Sequence, residues 1–204
     1  MGVVVLAIYG EEPQLGPLPL VVTSLLDGAW IVLAMAGVLF WRLGAVLGPL
    51  RLGLRPGWGT LGLAVGGGLF GAAVATALHE LFSTGDSYMA QLSSTASGLL
   101  AITVIALALP VVEELYYRGL IYGALRSRLP AAAAVAVITV WFAAVHATQV
   151  AGDWIALPII AAMGLFWTVL RARTDSLWPG IVSHLTYNGA LVVAAWISRA
   201  LGHA

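Results

Sequence analysis

From Val21 to Phe40 the chain carries a single charged residue, Asp27, and from Gly59 to Leu78 it carries none. Apolar stretches of about 20 residues match the hydrocarbon thickness of a bilayer, where only a helix or a closed barrel can satisfy its own backbone hydrogen bonds. A transmembrane barrel would need short segments alternating apolar and polar residues, and none is visible. The fold class expected is all-α, a polytopic helical membrane protein of about six transmembrane helices. Composition agrees: 61% of the 204 residues are hydrophobic and 9% are charged, against roughly 25% charged in soluble domains.

The charges that remain exclude several kinds of chemistry. Nine basic and nine acidic residues cancel, so no overall field draws nucleic acid or an acidic partner. All the basic residues are arginine, which removes lysine Schiff bases and lysine general bases. The absence of cysteine removes thiol nucleophiles, disulfides and iron-sulfur clusters. Met1 to Ile8 lacks a basic n-region, so no cleavable signal peptide is expected, and either the first span serves as targeting signal or an upstream piece is missing.

Charges, glycines and prolines punctuate six helices at about 20–41, 60–82, 95–128, 131–148, 155–170 and 177–199. Leu129-Pro130 closes the third. Arg42, Arg51, Arg55, Arg126, Arg128, Arg171 and Arg173 all fall in loops on one side, which reads as cytoplasmic. Glu11, Glu12, Glu80, Asp86 and Asp153 read as solvated charges of the opposite loops, and Asp27 as a near-surface residue of the first helix. The localisation expected is a multi-pass protein of the cell inner (plasma) membrane. One membrane domain is expected over residues 1–204: N-terminal spans in 1–94, and a four-helix catalytic core in 95–199.

Ionisable side chains inside a bilayer cost a few kcal/mol each and mark candidate sites. Here they are Glu113, Glu114, His146 and His184, with Arg118 and Asn188 beside them. Glu114 and Arg118 are four apart, share a helix face and can offset each other's burial. Glu113 points about 100° away with no cation at helical spacing, so Glu114 braces and Glu113 is free to react. If the third and fourth helices form a hairpin turning at Leu129-Pro130, Glu113 and His146 lie equally far from the turn. A glutamate and a histidine facing each other can hold a water and accept its proton. His184 and Asn188, again four apart on one face, suit a developing oxyanion. A base, a water-orienting imidazole and an oxyanion clamp are the parts needed to hydrolyse an amide, and no Ser/His/Asp or Cys/His set competes.

Three runs carry a family resemblance. Glu113-Glu114-Leu115-Tyr116-Tyr117-Arg118 resembles an EExxxR motif, Phe142-Ala143-Ala144-Val145-His146 an FxxxH motif, and His184-Leu185-Thr186-Tyr187-Asn188 an HxxxN motif. Residues 173–181 are similar to the run that precedes the last motif. Together they resemble the CPBP family, the type II CAAX prenyl endopeptidases and bacteriocin-processing or bacteriocin-immunity (Abi) membrane proteins, over about residues 95–195. The resemblance implies an intramembrane endopeptidase acting on a membrane-inserted or lipidated peptide, prenylated peptides included. It implies that Glu113 and His146 activate the water, that His184 and Asn188 stabilise the oxyanion, and that Glu114 and Arg118 support the site.

Plainer readings stand beside these. The polar cluster could glue helices together, Phe142 reads as packing, and Tyr116, Tyr117 and Tyr122 as anchors at the bilayer boundary. His79 and His203 read as incidental. Glu113, His146 and His184 would also make a two-histidine, one-glutamate zinc set, but the HExxH helix of zinc peptidases is missing, so no cofactor is expected, with zinc the alternative. A non-catalytic immunity or regulatory protein and a proton-coupled transporter are the other functions weighed. Straight helices would put Glu113 and His146 about 25 Å above their turn but His184 only about 10 Å from the same face. Extension of the third and fourth helices, a kink at Pro110 or a short tilted fifth helix would close that gap.

Overall fold

The computed structural model describes residues 16–43, 52, 55–82, 88–147, 150 and 153–202. Glu11, Glu12, Arg51, Asp86 and His203 lie outside the described residues, as does the side chain of Arg42. The described secondary structure is entirely helical: α1 Pro17–Leu43, α2 Trp58–Phe82, α3 Tyr88–Ser93, α4 Ala96–Arg126, α5 Ala131–His146, α6 Ala156–Thr174 and α7 Trp178–Ala200. Five of these, α1, α2, α4, α6 and α7, are long and apolar enough to cross a bilayer. The protein is a polytopic helical membrane protein, and the exposed Leu18, Trp30, Phe40, Phe70 and Val140 are the surface that such a protein turns to lipid.

Two expectations need correcting. The expected fourth span, α5, has 16 residues, about 24 Å of helix, short of a full crossing because its apolar run ends at His146. Between residues 82 and 95, where no helix is expected, lies the short helix α3.

Small residues set how closely the helices approach. A Cβ on Gly68 of α2 would lie 2.6 Å from the backbone oxygen of Ser183 in α7, and a Cβ on Gly67 or Gly71 would collide with Phe166 or Met163 of α6. Only glycine admits such backbone contact. Gly68 faces Ser183 and Gly71 faces Tyr187, so α2 and α7 run parallel. α4 runs antiparallel to α7, with Asn188 opposite Ala106 and Arg199 opposite Ser94. α1 lies on α4, with Gly28 against Leu109 and Val112, and α5 packs on α6. This arrangement gathers Arg55, Arg126, Arg128 and Arg173 at one end of the bundle.

α4 departs from regular geometry where the motif lies. It starts as an α-helix capped by Thr95, whose Oγ1 accepts from Gly98 N at 3.0 Å. It passes Pro110, turns into a π-helix over Glu114–Ile121, and ends as an α-helix over Tyr122–Arg126. Pro110 has no N–H, so the carbonyl of Ala106, four residues back, loses its helical donor. Asn188 Nδ2 donates to that oxygen at 3.0 Å. Wide π turns are rare and concentrate at functional sites.

Candidate active site

Glu113 is the last residue before the π turn, His146 ends α5, and His184 lies two turns into α7. The structure brings these three side chains together. Glu113 Oε1 lies 3.9 Å from His146 Nε2, and Glu113 Oε2 lies 3.8 Å from His184 Nε2. Both separations are too long for a direct hydrogen bond and suit one intervening water, whose two bonds of about 2.8 Å can span them. The Glu113 side chain keeps 24% of its surface exposed, against 15% for His146 and 5% for His184, so Glu113 is the most accessible member of the cluster.

The other nitrogens fix which way each ring works. His146 Nδ1 lies 2.7 Å from the carbonyl oxygen of Phe142; that oxygen can only accept, so Nδ1 carries the hydrogen and Nε2 faces Glu113. His184 Nδ1 lies 3.1 Å from Glu114 Oε1, which also accepts from Arg118 Nη1 at 3.0 Å. A carboxylate bound to a guanidinium is an acceptor, so Nδ1 of His184 donates as well. The His184 ring is stacked on Trp167 at 3.6 Å between centroids, and Trp167 Nε1 donates to Ser183 Oγ.

Behind the cluster lies a fully buried ion pair. Glu114 and Arg118 are both 0% exposed. Arg118 also donates to the Gly164 carbonyl and to Thr168 Oγ1, and its guanidinium lies 4.3 Å from the Phe142 ring centroid. Its charge is thus matched by a carboxylate, two further acceptors and an aromatic face. Glu114 Oε2 has no hydrogen-bond partner among the described residues. It abuts the first turn of α7, where a Cβ on Gly180 would lie 2.7 Å from it, so the positive end of that helix dipole faces it.

The height mismatch closes through unequal helix ends. Arg118 meets α6 at Gly164, Thr168 and Arg171. Beyond that level α6 continues only three residues to Thr174, roughly 5 Å, whereas α4 runs eight more to Arg126, roughly 12 Å. The α4–α5 turn therefore projects past the α6–α7 turn, and His184 needs to climb only two turns of α7 to reach Glu113.

Asn188 lies one turn beyond His184, and one of its two amide hydrogens goes to the Ala106 carbonyl. Several sequence expectations change. Arg171 is not a loop residue, because α6 continues past it to Thr174; it is 4% exposed. Asp153 is not a solvated loop charge: it is 7% exposed and pairs with His79 at 3.0 Å. Tyr117 and Tyr122 are buried inside the bundle, Tyr117 edge-on to Phe142, because the π turn directs them at α5 and α6 rather than at the bilayer boundary. Asp27 is eleven residues into α1 and beside Gly28, which faces Leu109 and Val112, so it sits deeper than near-surface. Trp167, Thr168 and Gly164 were missed; their spacing on one face of α6 opposite a buried arginine was the available signal.

One carboxylate and two imidazoles are donors that zinc accepts; ligands around one zinc at about 2.0–2.2 Å sit roughly 3.4 Å apart, against 3.9 Å from Glu113 Oε1 to His146 and 3.8 Å from Glu113 Oε2 to His184. Among the described residues no three His, Asp or Glu side chains form a metal-binding group. A separate apolar groove of about 510 Å³ lies between α2 and α6, lined by Phe70, Val74, Pro158 and Phe166 among others, and contains none of the cluster.

Fold and site together define a class: a helical membrane protein in which a glutamate and two imidazoles from three helices converge, the carboxylate 3.9 and 3.8 Å from the two rings. Residues 95–190 match the family described as "Type II CAAX prenyl endopeptidase Rce1-like". That match covers 96 of the 204 residues. It is also 34% identical over 94 residues to the protein named "Putative membrane peptidase YdiL" of Bacillus subtilis (strain 168), an overlap covering 46% of this chain and 36% of that protein. The chain thus spans about a third of the length of that relative. No solved structure matches.

Proposed function

We propose that the chain is an intramembrane endopeptidase that hydrolyses a peptide bond of a membrane-inserted or lipidated substrate, prenylated substrates included. A water in the gap donates a hydrogen bond to Glu113 and, as it attacks the peptide carbonyl, gives Glu113 its proton. His146, its Nδ1–H tied to Phe142, orients that water through Nε2 and shares the base role. Protonated Glu113 then passes the proton to the departing amine, so that one water is consumed and one amide bond broken. His184, when its Nε2 carries a proton, and the second N–H of Asn188 donate to the oxyanion. Glu114 and Arg118 hold the His184 ring in place; Phe142 packs against Arg118 and His146.

The observation that carries the reading is the Glu113 carboxylate lying 3.9 and 3.8 Å from two Nε2 atoms, the three groups coming from three different helices. The family match adds the reaction class. The test is Glu113→Gln in vesicles, with cleavage of a membrane-inserted peptide as readout. Loss of at least about a hundredfold in rate, with insertion and unfolding midpoint retained, is the expected outcome. Unchanged cleavage rejects the role, and it would favour the non-catalytic immunity or regulatory function.

A further inference from the structure

We propose that Arg171 is a positioning residue for this site: it holds the π-helical segment of α4 in register and so fixes where Glu113 and Glu114 point. The inference rests on the peptidase reading for its catalytic consequence, but not for its structural one.

A helix that changes from five-residue to four-residue hydrogen-bond spacing passes over one carbonyl, which then needs another donor. The N–H of Tyr122 bonds back five residues to the Tyr117 carbonyl. The next carbonyl, that of Arg118, accepts from Arg171 Nε at 3.1 Å. Arg171 thus supplies the donor where the π turn gives way to α-helix.

The rest of Arg171 is fixed too. Nη1 pairs with Asp175 Oδ1 at 2.7 Å, four residues along, where α6 ends in a left-handed residue with φ 51°. The guanidinium lies 5.5 Å from the Tyr122 ring centroid. Gly164, Thr168 and Arg171 are spaced by four and three residues, one face of α6. That face grips one residue of α4 twice over: Gly164 and Thr168 take the side chain of Arg118, and Arg171 takes its backbone. Since Arg118 holds Glu114 and Glu114 holds His184, a shift in the π register moves both carboxylates relative to both imidazoles. Unpaired buried carbonyls in hydrocarbon are costly, so without Arg171 the segment relaxes toward regular α-helix. One residue of register rotates Glu113 by roughly 100°.

The test uses the full chain in nanodiscs: wild type, Arg171→Gln and Arg171→Lys, with amide hydrogen exchange and cleavage kinetics on one membrane-inserted fluorogenic peptide. Arg171→Gln is expected to speed exchange about tenfold or more over residues 114–124 while α2 is unchanged. It is also expected to lower kcat by about 10- to 100-fold with KM within about twofold, as displaced catalytic groups do. Arg171→Lys, which restores a single donor, recovers protection of 114–124 and part of kcat. Exchange and kcat at wild-type values in Arg171→Gln overturn the proposal, as does faster exchange spread evenly over all helices. Localised exchange in a chain whose wild type cleaves nothing would support the brace and refute the peptidase reading.

Discussion

Adjacent in the chain, Glu113 and Glu114 meet opposite environments. Glu114 is sealed from solvent with one oxygen shared by Arg118 and His184, whereas Glu113 is partly exposed and has only water-length approaches to its two imidazoles. Removing one member of a buried ion pair strands the other, so Glu114→Ala should lower unfolding free energy by about 3–5 kcal/mol. Glu113→Ala should cost no more than about 1 kcal/mol. Unfolding in mixed detergent micelles measures both; equal losses would mean that the two carboxylates are not divided as described. That division was legible in the sequence, because a helix places residues 114 and 118 on one face and 113 off it. The partners of the two imidazoles were not legible, since a backbone carbonyl and a stacked indole leave no spacing pattern. The burial of Asp153 was also hidden: its partner, His79, sits at the far end of another helix.

At the scale of elements, α4 is deformed on both sides of Glu113, and each deformation is met by a polar side chain from a neighbouring helix. Pro110 frees the Ala106 carbonyl, and Asn188 takes it up. A proline within a span announces one orphaned carbonyl four residues back, so this contact could have been sought from sequence. The π turn could not, since no composition marks a change of hydrogen-bond register. The pairing predicts a coupling: Asn188→Leu should cost about 1–2 kcal/mol in the natural background, and clearly less with Pro110→Ala, where the backbone again supplies a donor. A double-mutant cycle read by unfolding, with a coupling of about 1 kcal/mol, is the expected result; strict additivity would remove Asn188 from this role. The burial of Arg171 escaped for a related reason. A charge at the end of an apolar run reads as the start of a loop, and only the neighbouring π turn gives it an acceptor inside the bundle.

Across the whole molecule, six expected helices are present within a few residues of their predicted ends, because apolar length and proline or arginine punctuation fix them. Their relative heights were not fixed by hydropathy, which says nothing of how far a hairpin projects. Gathering Arg55, Arg126, Arg128 and Arg173 at one end predicts that this end is cytoplasmic. The chain has no cysteine, so single cysteines can be placed cleanly. Arg128→Cys should react with an impermeant maleimide only after the membrane is opened, and Glu80→Cys in intact cells; the reverse pattern would invert the topology. Whether Glu113 and His146 act on one water is tested most directly by kcat/KM for peptide cleavage in Glu113→Gln, His146→Ala and the double variant. Groups that act on one water should each bring activity close to background, with the double no worse than the more severe single. Two modest losses that multiply in the double variant would contradict a shared water and leave the cluster as helix packing.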